Sequence, residues 1–230
     1  MEKENIVLLH GALGTKKQLE KLSHLLSSKF NVYSLDFEGH GSKASGKEFS
    51  MELFKNNVVD FILEHSIEKT HVFGFSMGGY VALNLAKTHP HLISHIVTLG
   101  TKFNWSQEAA EREVKMLDPI KIEQKVPKFA EVLKLNHSSN DWKEVLTKTA
   151  KLMLNLSLGE KLKDHDLHLI NHKVLIALGT QDEMVGLEES EHAVTHLKNA
   201  QLKPINGFFH PIEKNDMQVL NRIIEEFILE

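Results

Sequence analysis

The sequence predicts an α/β protein built on a mainly parallel, doubly wound sheet, and three observations carry that prediction. Strand-length apolar runs alternate with stretches of helical spacing along most of the chain, as a parallel sheet covered on both faces requires. With 230 residues and 41% hydrophobic content, the chain can bury a full core and fits one α/β domain. Finally, Gly74-Phe75-Ser76-Met77-Gly78-Gly79 sets a serine at the corner between a strand and a helix.

Taken in order, Ile6-Val7-Leu8-Leu9 is the first strand and runs into His10-Gly11-Ala12-Leu13-Gly14. Leu19, Leu22, Leu25 and Leu26 then share one helix face. Asn31 to Asp36 is the second strand, ending in the Glu38-Gly39-His40-Gly41 turn, and Ser42 to Lys47 reads as a surface loop. Ser50 is placed to cap a helix that buries Leu53, Phe54, Val58, Phe61 and Ile62. The strand Thr70-His71-Val72-Phe73 leads into the Ser76 corner, and the following helix must end by His89 because Pro90 cannot continue it. Ser94 to Leu99 is the next strand, Val174 to Leu178 another, and Gln201 to Ile205 a short one. A last helix from about Ile212 carries Val219, Leu220, Ile223, Ile224, Phe227 and Ile228 and is expected to pack across the sheet edge. Residues 101–172 read as several helices, with apolar positions at Val114, Leu117, Ile120, Phe129, Val132, Leu133, Leu146, Leu152 and Leu156.

Composition narrows the function classes. A net charge of −4 and a pI near 6.4 argue against nucleic acid as a partner. With no cysteine, disulfides, thiolate catalysis and zinc–thiolate sites are all excluded. The acidic start and the lack of an apolar stretch of about 20 residues make a soluble, cytoplasmic protein the expectation, with no membrane partner and an open oligomeric state. Histidine pairs at helical spacing occur at His91/His95, His168/His172 and His192/His196. None shows a full zinc ligand set, so neither metal nor cofactor is expected.

The corner carries the chemistry. A serine between strand and helix sits on a strained turn that exposes its hydroxyl, and glycines at 74 and 78 let strand and helix close up. The N–H of Met77 would lie at the helix N-terminus, where negative charge is favoured. A serine hydroxyl needs a neutral imidazole to take its proton, and the imidazole an orienting acid. Asp182 follows the Val174–Leu178 strand through Gly179-Thr180-Gln181, and His210 follows Gly207-Phe208-Phe209 before the last helix. The bland alternatives are a small turn residue at 76, a helix cap at Asp182 with acidic Glu183 beside it, and any other of the 15 histidines. The strand-end register favours Ser76, Asp182 and His210. His10 and His40, each next to glycine, are expected to shape loops.

The order Ser76, Asp182, His210, with the His10-Gly11-Ala12-Leu13-Gly14 turn after the first strand, resembles the α/β-hydrolase superfamily from residue 5 to the end. The resemblance implies an α/β-hydrolase fold lacking the N-terminal antiparallel strand pair. It implies a core of residues 1–100 and 173–230, with residues 101–172 as a helical lid. It assigns the second oxyanion N–H to Ala12, partnering Met77. The compact start is similar to the group holding the pimeloyl-ester carboxylesterase and the menaquinone-pathway synthase. The implied activity is hydrolysis of a small carboxylic ester through an acyl-enzyme, with Trp105, Trp142 and Phe103 of the lid lining an apolar substrate pocket. Thioesterase or C–C lyase chemistry on the same triad, or a non-catalytic small-molecule receptor, remain as alternatives.

Overall fold

A computed structural model describes residues 3–230. The sheet holds six strands in the order β2-β1-β3-β4-β5-β6. They are β1 (Asn5–Leu9), β2 (Asn31–Ser34), β3 (Thr70–Phe75), β4 (Ile93–Leu99), β5 (Lys173–Gln181) and β6 (Ala200–Phe209). Every pairing among them is parallel, so the described residues contain no antiparallel strand pair. Beyond β2 the chain returns to the other side of β1, which makes the β1/β3 boundary the place where strand order reverses. In open parallel sheets, the crevice at the C-terminal ends of such strands is where ligands bind.

Alternation along each strand divides the core in two. Val7, Leu9, Val72, Ile96, Val174 and Ile176 face one way, under α2 (Met51–Glu64), α3 (Met77–Thr88) and α9 (Leu187–His196). Ile6, Leu8, Phe73, Val97, Leu99 and Leu175 face the other, under α1 (Glu20–Leu26) and α10 (Met217–Leu229). The last helix therefore lies on a sheet face beside α1, not across an edge, because Leu220, Ile224, Phe227 and Ile228 form a stripe buried in that second core. The Ser50 hydroxyl accepts from the Leu53 N–H at 3.0 Å, capping α2. Edge position explains Pro204 inside β6, where one side of the strand needs no ladder donor.

Between β4 and β5 the chain leaves the sheet and builds a cap of α4 (Gln107–Val114), α5 (Pro119–Lys125), α6 (Pro127–Asn136), α7 (Trp142–Asn155) and α8 (Asp164–His168). A small core of Ile122, Ala130, Leu133, Trp142 and Leu146 holds α5, α6 and α7 together. Of the apolar positions marked in this segment, Ile120, Phe129 and Val132 are exposed. Phe129 and Val132 instead line an open groove between cap and sheet.

Candidate active site

Ser76 sits at the end of β3 with φ 50° and ψ −115°, a conformation that a non-glycine residue holds only when its surroundings impose it. Those surroundings are visible. The Ser76 N–H donates to the Leu99 carbonyl at 2.8 Å, and a methyl at Gly78 would strike the carbonyls of Leu9 and His10. A methyl at Gly74 would strike the backbone of Gly78 and Gly79. Among the described residues, neither the Met77 nor the Ala12 N–H has an acceptor within the protein. Both residues line the cavity that also holds Ser76 and His210, and Met77 opens the twelve-residue helix α3.

His210 and Asp182 meet although 28 residues apart: His210 Nδ1 donates to Asp182 Oδ2 at 2.8 Å. The Asp182 side chain is 1% exposed and that of His210 11%. The other carboxylate oxygen accepts from the N–H groups of Met184 and Val185, each at 2.9 Å, so the acid is held from both sides. An ionised carboxylate only accepts, which places the imidazole proton on Nδ1 and leaves Nε2 as a base.

Two residues that build this pair carry no signal in the sequence motif. Gly100, at φ +60°, lies beneath it: a Cβ there would stand 3.0 Å from Asp182 Oδ2 and 3.2 Å from His210 Nδ1. Asn215 clamps the residue before the histidine. It accepts from the Phe209 N–H at 2.8 Å and donates to the Phe209 carbonyl at 2.9 Å.

The turn after β1 rests on three buried histidines. His10 donates from Nδ1 to the Gly11 carbonyl at 2.8 Å and accepts at Nε2 from the Phe37 N–H at 3.1 Å. His137 of the cap donates from Nε2 to the Leu13 carbonyl at 3.0 Å and accepts at Nδ1 from the Gly41 N–H at 3.0 Å. Leu13 itself holds φ 59°. His40 lies between them, its ring 5.2 Å from that of His10 and 5.6 Å from that of His137. Burial lowers all three pKa values, that of His10 to about 4 and those of His40 and His137 in the same direction. His10 and His137 are neutral hydrogen-bonding struts and His40 packs between them, the loop-shaping role the sequence suggests for His10 and His40.

Ser76 stands where two spaces join. A narrow inner cavity is walled by Met51, Met77, Tyr80, Leu152, Met153 and Val185, with Trp105 among its lining. A wider outer groove runs past Leu13, Met116, Leu117, Phe129 and Val132 to the surface. Ala12, Ser76, Glu113, Met153, Met184 and His210 belong to both. Tyr80 anchors the cap's exit, its hydroxyl accepting from the Leu162 N–H at 2.5 Å, and burial raises its pKa.

Of the three aromatic residues assigned to substrate, only Trp105 lines the cavity. Trp142 is turned into the small core of the cap, against Ile122, Leu133 and Leu146. Phe103 flanks Tyr80 at 6.4 Å between ring centres and opens onto a separate cleft with Leu162, Asp164 and His192. Nor is the inner cavity wholly apolar, since Lys102 and Glu113 form a buried ion pair in its wall at 3.3 Å. Among the described residues, the one grouping of metal-type ligands is Asp164, His192 and His196, none of which lines the Ser76 cavity.

Comparison with known proteins agrees with this architecture. A family model described as the alpha/beta hydrolase fold matches residues 4–130. A curated relative, a "probable alcohol acetyltransferase" of Cyberlindnera fabianii, is 36% identical over 101 residues, 43% of this chain and 27% of its own length. This chain thus matches only about a quarter of that relative. Among solved structures, an alpha/beta hydrolase enzyme from a Medee basin deep-sea metagenome library superposes with TM-score 0.83 at 16% identity, covering 100% of this chain and 90% of that one. The 2-hydroxy-6-oxo-6-phenylhexa-2,4-dienoate hydrolase of a Rhodococcus species gives 0.78 at 20%, covering 99% and 91%. No described helix is long and apolar enough to cross a membrane. With a parallel sheet, a strained serine corner after its third strand and a family match over more than half its length, this chain belongs to the α/β-hydrolase fold family.

Proposed function

We propose that the protein is a serine hydrolase that cleaves small carboxylic esters through an acyl-enzyme intermediate. The observation that carries this reading is the buried Asp182–His210 hydrogen bond of 2.8 Å beside the cavity that Ser76 enters on its strained corner. In this reading Ser76 Oγ attacks the ester carbonyl while His210 Nε2 takes its proton. Asp182 holds the imidazole in the required tautomer and stabilises the cation formed. The N–H groups of Ala12 and Met77 receive the oxyanion, a contribution worth about 10²–10³ in turnover per donor in a comparable hydrolase. Collapse expels the alcohol, which takes the proton from His210. Water, deprotonated by the same nitrogen, then releases the acid. The inner cavity and the outer groove supply separate room for the two halves of an ester.

The expected result is turnover of short 4-nitrophenyl esters by the purified protein, abolished in Ser76→Ala, with the fold unchanged by circular dichroism. A protein that binds such esters and hydrolyses none would instead be a receptor. A second reading, transfer of the acyl group to an alcohol in place of water, draws on the acetyltransferase named among the relatives. Product analysis in added ethanol separates the two, since transfer yields the ethyl ester and hydrolysis the free acid.

A further inference from the structure

Two buried polar atoms in the lining of the inner cavity have no partner: Glu113 Oε2, an acceptor, and the Trp105 indole N–H, a donor. Glu113 is 4% exposed and Trp105 7%, so bulk water does not solvate them, and a buried unsatisfied polar atom is destabilising. The remainder of the neighbourhood is occupied. Glu113 Oε1 meets Lys102 Nζ at 3.3 Å, and Lys102 donates onward to the Met184 carbonyl at 2.8 Å and approaches Glu189 at 3.8 Å. Thr149 donates to the Val145 carbonyl. What remains is one acceptor and one donor in an otherwise apolar wall. A hydroxyl group suits either atom, donating its proton to Glu113 Oε2 or accepting from the Trp105 N–H.

Resting on the esterase reading above, we propose that Glu113 and Trp105 form a hydroxyl-recognition subsite, and that the preferred substrates are esters bearing a hydroxyl on the half that enters the inner cavity. Glu113 is then a specificity residue rather than a member of the acyl-transfer machinery.

The test compares 4-nitrophenyl butyrate with 4-nitrophenyl 3-hydroxybutyrate, and the corresponding pair with the hydroxyl on the alcohol half. Wild type is expected to prefer one hydroxylated ester by tenfold or more in kcat/KM. Trp105→Phe keeps the ring and removes the donor. Glu113→Gln keeps the shape, and Lys102→Met/Glu113→Leu removes the ion pair without stranding a charge. Each should erase most of the preference, read as a rise in KM for the hydroxylated ester relative to the plain one. Equal turnover of both members of each pair by wild type, or a preference unmoved in all three variants, overturns the subsite. Calorimetric binding of both esters to Ser76→Ala reads the preference without turnover. Hydroxyl selectivity there with no hydrolysis by wild type would sink the esterase reading and keep the subsite.

A second inference is carried independently by the cap's exit. Asp164 begins α8, while His192 and His196 stand one turn apart on α9, and one ligand atom from each lies within 4.8 Å of the others. His192 Nε2 is 2.9 Å and His196 Nε2 3.5 Å from the two Asp164 oxygens. His196 Nδ1 donates to the His192 carbonyl at 2.8 Å, the outer hydrogen bond that fixes a ligating imidazole. Glu188, Lys161 and Lys163 border the same cleft. The geometry points to a divalent site for a zinc-like ion, two imidazoles and one carboxylate with open positions for water, stapling the cap's exit to α9.

Calorimetry of tag-free protein with zinc chloride should give one site per chain and a raised melting temperature. His192→Ala, His196→Ala and Asp164→Asn, all at exposed or half-exposed positions, should each weaken binding by tenfold or more. No binding by wild type, or an isotherm unchanged in the His192→Ala/His196→Ala double variant, would refute it.

Discussion

Gly100 and Asn215 show how much of the candidate site is shaped by residues that do not line its cavity. Gly100 combines a φ of +60° with no room for a Cβ beneath the Asp182–His210 pair. Gly100→Ala is therefore expected to lower kcat by about 10²-fold through misplacement of the base, with labelling of Ser76 slowed in step. Asn215→Ala removes both hydrogen bonds to the Phe209 backbone. It should lower kcat at least about tenfold with little change in KM. A KM effect alone in steady-state kinetics would contradict the positioning role. The strand-end positions of Ser76, Asp182 and His210 were readable in the sequence because each lies next to turn residues. Gly100, Asn215 and Glu113 were not, because each acts through tertiary neighbours that no local pattern reveals. Trp142 misled for the same reason: membership of the cap does not say which way a ring turns.

Among the elements, the β1 turn, the loop after β2 and the end of α6 are joined by His10, His40 and His137. In the folded protein these imidazoles are held neutral, with the His10 pKa lowered to about 4. In the unfolded chain an imidazole titrates near 6.5. Between those values the unfolded state binds more protons, so stability is complete above about pH 6.5 and is lost as pH falls toward about 4. Melting temperature should drop through that window, and calorimetry in buffers of differing ionisation heat should register proton uptake on unfolding. A melting temperature flat from pH 7 to 5 would contradict neutral struts. The periodicity that placed α2, α3 and β3 succeeded because their buried faces are continuous. It does not distinguish Phe129 and Val132, because an apolar stripe lining a groove reads like one lining a core.

At the scale of the whole molecule, reversal of strand order between β1 and β3 brings Ala12 and Ser76 to adjacent strand ends, and the cap closes over both. Two substitutions separate the cap's own stability from its role in the site. Trp142→Ala empties the cap core and should destabilise the cap by about 3–5 kcal/mol. The order of preference among acyl lengths should persist at temperatures where the cap stays folded. Met153→Trp, in the wall shared by cavity and groove, should narrow acyl length tolerance with little loss of stability. Kinetics across a 4-nitrophenyl ester series, paired with thermal melts, distinguishes them. The parallel sheet was legible from the alternation of elements, whereas the pairing of α10 with α1 depends on which sheet face lacked cover.

The most direct measurement is intact-protein and peptide mass spectrometry after reaction with a fluorophosphonate. The expected result is one adduct per chain, on the peptide bearing Ser76, absent in Ser76→Ala and greatly slowed in His210→Ala. An unmodified Ser76, or equal labelling with and without the His210 imidazole, would contradict the proposed nucleophile and its base.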